Sequence, residues 1–138
     1  MQHIEFLRLN ESWNGDPDAP SVHLQFEDGA ANLSFTLNSW QDNAAKGETA
    51  TILFTNCSRW NWDATEDHAW FAGEGRYAGQ APKWGEFYEV VGEEVLGSMV
   101  DWEVISADSV NARHFLFCFR DETLEFIATD WSINRHRG

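Results

Sequence analysis

Apolar and polar residues alternate with a period of two along most of the chain. Ile4, Phe6 and Arg8 alternate with Glu5, Leu7 and Leu9. In "SVHLQFEDGAANLSFTLN", Val22, Leu24 and Phe26 face one way while His23, Gln25 and Glu27 face the other. Beyond Asp28-Gly29 the alternation resumes with Leu33, Phe35 and Leu37 against Asn32, Ser34 and Thr36. Alternation on both sides of an Asp-Gly step predicts a hairpin, because such a turn demands the positive φ that glycine accepts.

"TATILFTNCS", rich in β-branched residues, reads as a more fully buried strand. "GEFYEVVG" and "DWEVISA" each alternate, Trp102 and Val104 falling opposite Glu103 and Ile105. "RHFLFCFRDETLEFIATDW" carries two strands around a short polar turn. Phe115, Phe117 and Phe119 share a face of the first, and Leu124, Phe126 and Ala128 share a face of the second. The tail "NRHRG" is short and basic and is expected to fray.

Two stretches break the rhythm, "QDNAAKGE" and the longer span from Asp63 to Gly85. Asp63 with Glu66 three residues on fits a capping box, which predicts one or two helical turns over Ala64–Phe71. Short strands joined by short turns, with no helical stripe, predict an all-β fold: an antiparallel sandwich or open barrel of about eight strands. One long irregular loop covers about residues 63–85, and the span 1–138 reads as a single domain.

Charge narrows the partners. The chain has 23 acids against 9 Lys and Arg, a net charge of −14. That balance repels phosphate backbones and anionic lipid, so neither nucleic acid nor a membrane surface is an expected partner; a basic protein is. Between Lys83 and Arg113 there is no Lys or Arg, while Glu86, Glu89, Glu93, Glu94, Asp101, Glu103 and Asp108 fall in the interval. If neighbouring strands gather these acids, Trp84, Glu86, Tyr88, Glu89, Glu93 and Glu94 form a partner-binding surface with aromatic anchors. The competing reading is a solvated sheet edge.

The eight tryptophans raise a second possibility. Trp60 and Trp62 lie two apart at a strand end and project to one face, with Trp70 beyond a polar turn. Together with Asp63, Glu66 and His68 they define a candidate ligand-binding segment, where rings stack on a sugar and carboxylates bond its hydroxyls. The plainer reading is that these rings roof one end of the core.

Whether the chain catalyses a reaction stays open: the catalytic alternative is hydrolysis at that same segment by Asp63, Glu66 or His68. Paired carboxylates would have to come from strand residues such as Glu89 and Glu103, and one would have to be buried enough to stay protonated. There is no G-x-S-x-G elbow, and neither Cys57 nor Cys118 has a basic neighbour to activate it. No cysteine spacing suggests zinc, and a histidine site would need His23, His68 and His114 to converge. No cofactor is expected. The start has no basic segment followed by a long apolar run, so a cytoplasmic location is the expectation, with both thiols reduced.

"APKWGEFYEVVG" and "RHFLFCFRDETLEF", preceded by "WNWDATEDHAWFAGEGRYAG", resemble a family of small bacterial proteins to which no activity is assigned. The matching segments span Trp60–Val91 and Arg113–Trp131. The resemblance implies no cofactor or catalytic residue. In size and acidity the chain is also similar to immunity proteins that block toxins.

Overall fold

The computed structural model describes residues 5–10, 13–16, 21–39, 46–63, 85–91, 102–119 and 122–136. These form ten strands: β1 (Glu5–Arg8), β2 (His23–Glu27), β3 (Ala30–Thr36), β4 (Thr49–Thr55), β5 (Arg59–Asp63), β6 (Phe87–Val91), β7 (Glu103–Val104), β8 (Arg113–Cys118), β9 (Thr123–Ala128) and β10 (Asp130–His136). They assemble as a six-stranded sheet in the order β1-β6-β8-β9-β5-β7 and a four-stranded sheet in the order β10-β4-β3-β2. Every pairing is antiparallel, and among the described residues neither sheet closes on itself. The fold is an all-β sandwich.

Two expectations need correction. The tail does not fray at "NRH": Asn134, Arg135 and His136 complete β10, which pairs along its length with β4. Burial explains this, because Ile133 packs on the core and Arg135 reaches the buried carboxylate of Glu48 at 2.8 Å. The strand read in "DWEVISA" contracts to Glu103–Val104, held beside Arg59 and Trp60. The predicted helical turns over 64–71 lie outside the described residues, as does the rest of the long connection up to residue 84.

The hairpin between β2 and β3 forms as predicted. Asp28 and Gly29 take φ of 50° and 78°, the double left-handed turn whose twist matches its strands. Alternation then decides the core. Leu33, Phe35, Ile52 and Phe54 of the small sheet face Phe87, Phe115, Phe117, Leu124 and Phe126 of the large one. Phe54 stacks on Phe126 with ring centroids 4.2 Å apart and meets Phe115 at 5.4 Å. Trp13 lies over Phe35, Phe87 and Phe117. Such ring pairs add roughly 0.5–1.5 kcal/mol each beyond their burial.

The large sheet is buried on its other side too. Tyr88, Val90, Leu116 and Cys118 form a second apolar cluster there, with Phe6 packed against it. All six residues of the neighbouring β9 are buried as well. Two glycines join the chain's early segment to β6: the Gly15 amide donates to the Gly85 carbonyl at 2.8 Å. Gly85 has φ +81°, and a Cβ there would sit 2.5 Å from the Gly15 carbonyl oxygen, so both conformation and space demand glycine.

Candidate functional site

The strand β5 carries Trp60 and Trp62 on the face that looks toward the small sheet, since they pair with Phe126 and Leu124 of β9. Trp60 is half-buried against the core and touches Phe26 of β2, ring centroids 5.2 Å apart. Trp62 is 38 % exposed and its indole Nε1 donates to Glu122 Oε2 at 2.6 Å. Phe26 is 43 % exposed. Where β5 of one sheet passes β2 of the other, the sandwich therefore ends in an aromatic rim of Phe26, Trp60 and Trp62. Glu122 lies on this rim, and Glu27 and Asp28 are exposed next to Phe26 in the chain.

Sequence reasoning found Trp60 and Trp62 but not Phe26 or Glu122. The signal for Phe26 was its inward parity immediately before a tight turn. Its exposure follows from β2 being a sheet edge, which a local pattern does not encode. Of the other residues in that candidate segment, Asp63 closes β5, while Glu66, His68 and Trp70 lie outside the described residues.

The second candidate surface is divided by the fold. Tyr88 is buried, 5 % exposed, and meets Phe6 edge-on. Glu89 is turned to the opposite face of β6 and accepts two bonds from Arg113, at 3.0 and 2.8 Å. That bond, with the nearby charges of Glu89 and Asp130, raises the Arg113 guanidinium further above its usual range. Glu86 accepts from Asn10 Nδ2, and Asn10 in turn accepts from the Phe87 amide at 3.1 Å, so this carboxylate holds the chain's early segment against β6. Trp84, Glu93 and Glu94 lie outside the described residues.

At one end of the sandwich three connections meet around a cleft of about 340 Å³, lined by Gly29, Asn56, Cys57, Ser106, Ala107 and Ser109. Beneath it Asp108 accepts from Ser58 Oγ at 2.6 Å and from Arg59 at 3.1 and 2.9 Å, and Arg59 lies 5.0 Å from the ring centre of Trp102. Asp108 thus fastens the β7–β8 connection to β5. The cleft offers hydroxyls and an amide for hydrogen bonding. It offers no activated nucleophile, because burial pushes the Cys57 thiol up to about 11 and its Sγ donates to the Arg59 carbonyl.

Of the three histidines of the candidate site, His68 lies outside the described residues, and the other two stand on different sheets. His114 is buried on the outer face of the large sheet and hydrogen-bonded to Glu125 at 2.6 Å, while His23 is exposed on β2 of the small sheet. Among the described residues no group of three or more His, Cys, Asp and Glu is placed to hold a metal ion. Comparison of the chain with protein-family models, with curated proteins and with solved structures finds no match in any of the three.

Proposed function

We propose that this chain is a binding protein of the inhibitor or immunity kind, which docks a basic partner protein. The observation that carries the reading is what the chain does with its few cations. Of the five described Lys and Arg residues, Arg59 is bound to Asp108, Arg113 to Glu89 and Arg135 to Glu48, while Arg8 and Lys46 are exposed. Each of these pairs takes up one carboxylate with its cation, so the surplus of 14 negative charges, 23 acids less 9 bases, stays with carboxylates that no Lys or Arg of the chain can match. Glu27, Asp28 and Glu103 are among the exposed carboxylates. A coherent negative field speeds encounter with a cationic protein and sets its orientation.

The test is retention of lysate proteins on the immobilised chain at rising ionic strength. From about 0.1 M to about 1 M salt the screening length falls from roughly 10 Å to roughly 3 Å. The expected result is a set of retained proteins with high isoelectric points, released across that range. Retention indifferent to salt, or of acidic proteins alone, overturns the reading.

A second reading rests on the exposure of Trp62 beside Trp60: the rim stacks on a small neutral ligand such as a sugar. Tryptophan fluorescence during titration with a panel of oligosaccharides tests it. No change with any sugar removes it.

A further inference from the structure

Among the described residues the strand β2 is an edge. It ends the small sheet, its five residues pair with β3 without interruption, and His23, Gln25, Phe26 and Glu27 are exposed. Natural edges are blunted by lysine, proline, bulges or a covering element, because their outward amides and carbonyls template further pairing. None of β2's residues is Lys or Pro, and its register carries no bulge.

The register tells which groups face outward. A two-residue turn closes on a hydrogen-bonded pair, here Glu27 with Ala30, so bonded and non-bonded pairs alternate back along the strands. Gln25 and His23 therefore bond to β3, while Leu24 and Phe26 turn their N–H and C=O groups to the outside. The same parity appears farther along β3, where Thr36 offers its carbonyl to Asp16 on the β2 side and Leu37 donates to Glu48 on the β4 side.

We propose that β2 is a docking edge for an extended basic segment of a partner, which adds as a fifth strand beside the aromatic rim of Phe26, Trp60 and Trp62. The inference rests on the docking reading above and names its place and mode. Backbone bonds from Leu24 and Phe26 supply the pairing. The rim receives alternate apolar side chains, and Glu27, Asp28 and Glu122 favour cations between them. The other edges fit less well. The two residues of β7 are too few. The exposed positions of β10 are the polar Asp130, Ser132, Asn134 and His136. β1 carries Arg8, which repels a basic strand.

The probe is a capped seven-residue peptide alternating Arg and Val, compared with an Arg-Pro peptide of equal length and charge that lacks half the backbone donors. Binding and amide hydrogen exchange are followed by NMR on the whole chain. The expected result is that Arg-Val binds roughly tenfold or more tightly than Arg-Pro and slows exchange at Leu24 and Phe26 by a similar factor. Leu24→Pro removes one outward donor without touching the β3 ladder, and Glu27→Lys restores a protective charge; both weaken Arg-Val. Should Leu24→Pro fail to fold, the exchange pattern of the unaltered chain still decides. Equal binding of the two peptides without protection at Leu24 and Phe26, or protection on another edge, overturns the docking edge and leaves the acidic reading standing. Binding of neither peptide overturns both.

Discussion

Phe54 shows how much one side chain carries. It is fully buried and shares contacts with Phe87, Phe115 and Phe126, so it joins the two sheets at their centre. Phe54→Ala is expected to cost about 3–5 kcal/mol, read as a lowered denaturant midpoint. Trp62→Ala, at an exposed rim, is expected to cost less than about 1 kcal/mol in the same measurement. The two thiols predict a pH effect. Burial lifts Cys57 from 9.0 to about 11 and Cys118 higher still. The folded state thus keeps protons that the unfolded chain releases, so their contribution is whole below about pH 9 and falls as pH rises past that value. Each thiol adds up to about 1.4 kcal/mol of loss per pH unit in that window, measured by denaturation at stepped alkaline pH. Which face a residue takes was legible from parity, as with Phe115 and Phe117. Tyr88 was not, because its burial comes from a second apolar cluster on the sheet's far side.

Among the elements, the β2–β3 hairpin was legible because its turn chemistry is local to Asp28-Gly29. β10 was not. Its residues look like a polar tail until β4 is beside them, and only then does Arg135 find Glu48. Arg135→Met leaves the nearly buried Glu48 carboxylate without that partner. The expected cost is about 1–3 kcal/mol, with faster amide exchange through β10 than through β8 and β9. Gly85→Ala is expected to cost more than 1 kcal/mol by denaturation, since a Cβ 2.5 Å from the Gly15 carbonyl forces the chain apart where it enters β6. The rim of Phe26, Trp60 and Trp62 was half legible. The pair on β5 follows from spacing, while its meeting with β2 depends on how two sheets cross.

At the scale of the whole molecule, the charge balance was plain in the sequence, yet its distribution was not. Of the acids between Lys83 and Arg113, Glu86, Glu89 and Asp108 hold segments of the chain together and Glu103 is exposed, while Glu93, Glu94 and Asp101 lie outside the described residues. Pairing at the two sheet margins reaches far along the chain, as the Arg135–Glu48 bond across 87 positions shows. During synthesis β4 waits for residues 130–136 to emerge before it can meet β10, and β1 waits for residues 88–91 before it can meet β6. Such non-local pairing forms slowly, so apolar strand surface stays uncovered for longer during synthesis than in a helical protein of equal size, whose contacts are local.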